Sequence, residues 1–187
     1  LMNAIADLNL TVDTLVNNAG FGISSPFAKA NPSQTLGMMQ LNMVTLTELT
    51  HMALPAMLER QHGRIMNIAS VAAFQACPYF AVYAATKAYV LSFTEALAEE
   101  VSNRGVLVTA VCPGSTSTEF HDVANTKGSL MTKISETPEM VADEAYKALN
   151  NGKTVVVTGL LNKPLPAINR LLPRRTMTWA VSKMMGR

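Results

Sequence analysis

Tyr83 and Lys87 stand four residues apart in Tyr83-Ala-Ala-Thr-Lys87, a spacing that on a helix sets both side chains on one face. An ammonium beside a phenol favours the phenolate and lowers a tyrosine pKa from about 10. A fall of about 3 units equals roughly 4 kcal/mol of differential stabilisation. That is enough for Tyr83 to exchange a proton near neutral pH as a general acid and base. Taken alone, the spacing fits a solvated surface pair better. Ser70 adds to it: this hydroxyl ends the apolar run Ile65-Met66-Asn67-Ile68-Ala69-Ser70, upstream of Tyr83. Ligands of open parallel sheets gather at the carboxyl ends of strands, so Ser70 is placed to hydrogen-bond a substrate oxygen. A turn or helix-capping serine is the competing reading.

Three further sites carry polar or flexible groups. Asn42, in Gln40-Leu41-Asn42-Met43-Val44, interrupts a good helical pattern, where asparagine is mildly unfavourable. Either it is incidental, or its amide and a locally disturbed backbone hold something, for instance a water. Asn17-Asn18-Ala19-Gly20 closes an apolar run with small residues, which allows close backbone approach to a ligand and equally makes a tight turn. Pro113-Gly114 does the same after another run and is followed by Ser115-Thr116-Ser117-Thr118; by itself Pro-Gly is turn punctuation.

The elements that must position these residues are four short β-rich runs: Val12 to Asn17, Arg64 to Ser70, Val106 to Cys112 and Thr154 to Thr158. Each is apolar almost throughout, as parallel strands covered on both faces are. Helical patterns lie between them, over Leu36 to Glu59 with Pro55 as a kink or end, over Tyr83 to Asn103 before Arg104-Gly105, and over Glu139 to Leu149. Strand and helix in alternation give an α/β fold with a doubly wound parallel sheet and right-handed crossovers. Residues 1–187 are expected to form one domain, with 163–187 as a basic C-terminal tail or helix broken by prolines.

In this order and at this spacing, the Asn-Asn-Ala-Gly run, the in-helix Asn42, the strand-ending Ser70, Tyr83-x-x-x-Lys87 and Pro113-Gly114 with Thr118 resemble the short-chain dehydrogenase/reductase family. The resemblance runs from about Val12 to Thr118 and more loosely to Gly159. The stretch from Val71 to Ala98 looks like a bacterial branch of oxidoreductases in it. It implies a Rossmann-like fold and hydride transfer between a nicotinamide and a carbonyl or secondary alcohol. Tyr83 would be the general acid/base, Ser70 would orient the substrate oxygen, and Lys87 would tune Tyr83 and bind the nicotinamide ribose. Asn42 would hold a water on a proton relay. Asn17, Ala19 and Gly20 would border the adenosine-side ribose, and Pro113, Gly114, Thr116 and Thr118 would pack against the nicotinamide. Phe120, His121 and Val123 fall where the family carries a substrate lid. The cofactor would be NADP or NAD, with NADP placed first, and the protein a homodimer or homotetramer joined by its two long helices.

The family's opening strand and T-G-x-x-x-G-x-G turn, which holds a pyrophosphate on backbone amides and a helix N-terminus, is not found here. Gly20-Phe21-Gly22 lacks the further glycine and is misplaced. The expectation is an N-terminally truncated sheet without its first three strands, an exposed apolar edge at Val12 to Asn17, and little or no NAD(P)H binding by the chain alone. A non-catalytic fragment or scaffold is the alternative function.

Composition narrows the rest. The net charge is +2 and the hydrophobic fraction 49%, which leaves no basic footprint for nucleic acid and suits a sheet buried on both faces; the lid and pocket residues, with no charged clamp among them, suggest an apolar substrate cleft. Cys77 and Cys112 show neither disulfide nor metal spacing, and His51, His62 and His121 no metal pattern, so no metal is expected and a reducing cytoplasm fits. Cys77 either lines the substrate cleft or, preferably, packs as a small residue. No apolar run reaches the roughly 18 residues of a membrane helix. The basic, partly amphipathic end from Arg170 to Arg187 could rest on a membrane surface; a helix over the substrate pocket or at a subunit contact is the preferred reading.

Overall fold

The computed structural model describes Ile5, Asp7, Leu8, residues 10–117 and residues 135–185. Four strands, β1 (Thr14–Asn17), β2 (Gly63–Ile68), β3 (Val106–Cys112) and β4 (Val155–Val157), form one sheet in sequence order with every pairing parallel. This is the α/β parallel architecture expected from the apolar runs, and β3 matches its run at both ends. In β1 only Thr14 to Asn17 pair with β2, in register Thr14 to Arg64 through Asn17 to Asn67. Among the described residues the free side of β1 is an edge, with Val16 50% exposed, as the family resemblance implied.

The first long helical pattern is a continuous rod in three parts: α1 (Pro32–Met39), a π-helical turn (Gln40–Thr45) and α2 (Leu46–Glu59). It starts four residues before the expected Leu36 because Asn31 caps it, accepting from the Gln34 amide at 3.2 Å, with Pro32 at the first helical position. The π-helical turn is centred on Asn42, so the backbone is disturbed where the polar residue interrupts the apolar pattern. Pro55 lies inside α2 without ending it.

α3 (Ala81–Glu100) is the central helix, burying Tyr83, Ala84, Thr86, Lys87, Val90, Leu91, Thr94 and Leu97. It stops before the expected Asn103: residues after Glu100 tighten into turns, and Asn103 itself has φ 63°. α4 (Pro138–Asn150) is capped by Thr137, whose hydroxyl accepts from the Met140 amide at 3.3 Å. α5 (Leu165–Leu171) and α6 (Arg174–Met184) complete the described chain.

The core fills both faces of the sheet. On one side α2 and α3 pack Ala53, Met57 and Leu97 against Ile65, Val106 and Val108. On the other, α4 sets Ala145 and Leu149 against Met66 and Val111. Burial on both faces explains why the strands read as unbroken apolar runs. Among the described residues no helix is long and apolar enough to cross a membrane.

Candidate active site

Because β1, β2 and β3 run parallel, the loops after Asn17, Ile68 and Cys112 leave from one end of the sheet, the end where open α/β sheets take ligands. Ser70 stands there just beyond β2. Its Oγ accepts from the Ala72 amide at 3.1 Å, capping the short 3-10 turn Val71–Phe74, and lies 3.5 Å from the Pro113 carbonyl oxygen. The capping reading is therefore correct for Ser70, and it does not remove the other one: the same side chain hydrogen-bonds Tyr83.

Tyr83 comes from the first turn of α3. Its ring meets Phe80 edge-on at 5.4 Å and packs with Met38, Cys77, Ala84 and Val181. Burial pushes its phenol up to about 12; the Ser70 hydrogen bond opposes that rise and Cys77 adds to it. The depressed tyrosine pKa expected from the Tyr-Lys spacing is not what this geometry gives. The cause is where the Lys87 ammonium goes: it lies 5.8 Å from the centroid of the Tyr83 ring and donates to the Ile68 carbonyl at 2.6 Å. Lys87 is itself buried, and desolvation lowers its pKa to about 8. Of the two groups, the lysine is the one that titrates near neutrality.

Asn42 and Gly20 meet beside this pair. The Asn42 carboxamide accepts from the Phe21 amide at 3.2 Å and donates to the Phe21 carbonyl at 3.0 Å and to Thr86 Oγ1 at 3.1 Å. Thr86 Oγ1 in turn donates to the Tyr83 carbonyl at 2.8 Å. Asn42 thus ties the loop after β1 to the helix that carries Tyr83 and Lys87. A Cβ on Gly20 would lie 2.9 Å from Asn42 Oδ1 and 3.6 Å from Lys87 Nζ, so the glycine lets the β1 loop approach both.

The remaining candidates divide. Ala19 is exposed on the same loop. The Asn17 carboxamide is not turned towards that loop: it donates to Asn67 Oδ1 at 2.8 Å and Thr50 Oγ1 at 3.1 Å, while Asn67 donates to Thr94 Oγ1 at 3.0 Å. Asn17, Asn67, Thr50 and Thr94 are all buried and form a polar ladder joining α2, β1, β2 and α3. Pro113 accepts from the Val71 amide at 2.9 Å, which holds the β3 exit against Ser70. Thr116 forms an isolated parallel bridge with Glu136. Thr118, Phe120, His121 and Val123 lie outside the described residues.

Two groups near the cleft had no signal in the sequence. Glu136 clamps the β3 loop by backbone, accepting from the Ser117 amide and donating to the Ser115 carbonyl, each at 2.9 Å. Its Oε2 accepts from Thr158 Oγ1 at 2.8 Å and from Asn162 Nδ2 at 3.4 Å, and its buried Oε1 has no partner among the described residues. Asn162 packs so closely on Gly114 that a Cβ there would lie 2.2 Å from its Nδ2. The second is Val181 of α6, which joins the cluster around Tyr83, Cys77 and Phe80. Through Val181 the helix of the basic tail packs into the cluster that holds Tyr83. Cys77 is buried in the same cluster, its thiol pushed up to about 11 by desolvation. His62 pairs with Asp13 at 2.9 Å at the surface.

The chain is similar in sequence and fold to known proteins. A family profile described as short chain dehydrogenase matches residues 1–128. A ketoacyl reductase, HetN, from Nostoc sp. is 32% identical over 179 residues, which cover 92% of this chain and 62% of the relative. The chain thus spans less than two thirds of that protein's length. A solved short-chain dehydrogenase from Sphingobium yanoikuyae in complex with NADPH is 26% identical, with a TM-score of 0.73 over 87% of this chain and 66% of that one. A 3-oxoacyl-[acyl-carrier protein] reductase with bound NAD from Brucella melitensis is 28% identical, with a TM-score of 0.70 over 84% of this chain and 64% of that one.

Proposed function

Since the chain belongs to the short-chain dehydrogenase family, an oxidoreductase family with a Rossmann-like fold, we propose that it carries the proton-transfer half of an NAD(P)-dependent carbonyl reductase or alcohol dehydrogenase. The observation that carries this reading is the Ser70 to Tyr83 hydrogen bond at the carboxyl end of a parallel sheet, with buried Lys87 one helical turn on. The neighbours solved with NADPH and with NAD support a nicotinamide dinucleotide without choosing between them.

The residues present fit such a cofactor. Gly20 is a cradle that a Cβ would fill, set against Lys87 and Asn42, and Ala19 and Gly20 with Lys87 would hold the ribose. Pro113, Gly114 and Thr116, with Thr118 beyond the described residues, would lie along the nicotinamide. Asn17 acts from beneath, through the polar ladder. When bound, the dinucleotide supplies or accepts the hydride.

The chain's own part is the proton. Tyr83, held near 12, is protonated at neutral pH and donates its phenolic proton to the substrate oxygen in the reduction direction. Ser70, which shares a hydrogen bond with Tyr83, orients that oxygen. Lys87, near 8, is the group from which the proton is restored. Asn42 is a positioning residue: its side chain is committed to Phe21 and Thr86, so a relay water would fall to the backbone of the π-helical turn. Residues 1–187 work as one domain with the stretch from Lys163 onward as its cover.

Met38, Cys77, Phe80 and Val181 around Tyr83 support an apolar carbonyl or secondary alcohol as substrate, in line with relatives named as ketoacyl and acetoacetyl-CoA reductases. A second copy is the proposed partner. A groove of about 420 Å³ lined by Met43, Val44, Thr47, Glu48, His51 and Tyr89 crosses the two long helices, and Tyr89 and Met52 are exposed there. Nicotinamide absorbance with an apolar ketone tests the reading, measured on this chain joined to a dinucleotide-binding half with the T-G-x-x-x-G-x-G turn. Tyr83→Phe is expected to lower turnover by about 100-fold or more; unchanged turnover would return the chain to the role of a non-catalytic scaffold.

A further inference from the structure

Residues 160–187 contain six lysines and arginines and no acidic residue, so all thirteen acidic residues of the chain precede Leu160. The same stretch exposes large apolar side chains. Leu160 is 81% exposed, Leu171 83% and Trp179 64%, and Leu161, Leu172 and Met184 are exposed as well. Single exposed hydrophobics are ordinary on a protein surface; a group of them on a stretch whose only charged side chains are cations is not, and of those cations Lys163 is answered by Glu144 at 3.7 Å.

The helix α6 shows how the two features are arranged. On its inner side Val181 is 3% exposed and packs with Tyr83, Cys77 and Phe80. Arg175, Trp179 and Lys183 recur every four residues and so lie along one line, on the side of the helix away from Val181. All three are exposed. The outward line therefore reads cation, indole, cation, one turn apart. A tryptophan between cations suits the headgroup boundary of a bilayer, where the ring sits at the apolar edge and the cations meet phosphates. Anionic lipid answers both features at once, with charge at the surface and hydrocarbon just beneath it. No described helix is long and apolar enough to span the bilayer, so the contact is one of lying on the surface.

We infer that the basic, apolar outer face of residues 160–183 docks on an anionic phospholipid surface, with the Tyr83 site held against the inner face of α6. The binding stands apart from the proposed chemistry. Only its corollary rests on that reading: an apolar carbonyl substrate would reach the site from the lipid.

Trp179 is the only tryptophan in the chain, so its emission reports this face directly. The full chain is mixed with vesicles of phosphatidylglycerol and phosphatidylcholine, or of phosphatidylcholine alone, without nicotinamide or substrate. Sedimentation with the phosphatidylglycerol vesicles and a blue shift of Trp179 are expected, both weakened by salt. Arg175→Ala and Lys183→Ala should each lower vesicle affinity about fivefold, and about 25-fold together, with circular dichroism unchanged. Three outcomes would overturn the inference: no binding to phosphatidylglycerol vesicles, equal binding to phosphatidylcholine alone, or a blue shift that grows with protein concentration in the absence of lipid. The last would assign the face to a second copy. Redox turnover plays no part in this measurement, so failure here and loss of the reductase reading are separate results.

Discussion

Lys87 donates to the main-chain carbonyl of Ile68 at 2.6 Å and stands 5.8 Å from the ring centroid of Tyr83. The ammonium is thereby anchored on the last residue of β2, in a buried position, and its position is set by the sheet as much as by the helix that bears it. Burial holds its pKa near 8, below the 10.5 of an exposed lysine. Between those values the unfolded chain binds more protons than the folded one, so stability rises with pH across that window.

Three other groups act in the opposite sense. Cys77 and Cys112 are pushed up by burial to about 11 and 12 from 9.0, and Tyr83 to about 12 from 10.0. Above pH 9 the folded protein keeps protons that the unfolded chain releases, and stability falls. The urea midpoint is expected to climb from about pH 8 to about pH 9 and then turn down. In Lys87→Met the climb should vanish while the decline remains. A variant that still climbs would show that Lys87 is not the group responsible.

The Asn17 to Asn67 contact gives a second expectation. Asn17→Ala leaves Asn67 Oδ1, a buried acceptor, without the donor now 2.8 Å away, which costs about 1–3 kcal/mol. Asn17→Asp should cost more, because it faces the same oxygen with a buried carboxylate. Chemical denaturation should rank the wild type above Ala and Ala above Asp. An Asp variant as stable as the wild type would mean that the ladder admits water.

What the sequence made legible follows from the range of each signal. The strand β3 was readable to its ends because a fully buried parallel strand is an unbroken apolar run. The meeting of Ser70 with Tyr83 was readable because one ends a strand and the other opens the next helix. The Asn31-Pro32 start of α1 carries its own local signal, a cap followed by a proline, which lies outside the apolar spacing that begins at Leu36. The partner of Lys87 had no signal at all, since every residue type offers a carbonyl. Asn17 and Asn67 meet only through strand register although they stand fifty positions apart in sequence, and Val181 reaches the Tyr83 cluster by tertiary packing. Neither is encoded by local spacing.

Gly20 offers a test of how tightly the β1 loop is held. A Cβ there would sit 2.9 Å from Asn42 Oδ1, and Asn42 cannot yield without loosening its three bonds to Phe21 and Thr86. Gly20→Ala should cost on the order of 1 kcal/mol. In the Asn42→Ser background the same change should cost less, since the obstructing amide is gone. Thermal unfolding of the four proteins in this double-mutant cycle measures the coupling. Additive effects would mean that the loop moves away from Asn42 without cost.

Glu136 separates hydrogen bonding from charge. Thr158 and Asn162 both donate to its Oε2, while Oε1 is buried without a partner among the described residues. Glu136→Gln keeps one oxygen for those two donors and removes the formal charge from the unpaired side. Its stability should therefore match or exceed that of the wild type, within about 0.5 kcal/mol if it falls short. Glu136→Ala strands both donors and should cost about 1–3 kcal/mol. The backbone bonds of Glu136 to Ser115 and Ser117 survive either change, so the loss in Ala measures the side-chain clamp between the β3 loop and the residues after β4. If Gln is as damaging as Ala, the negative charge itself is what that corner requires, and a cationic group must answer Oε1.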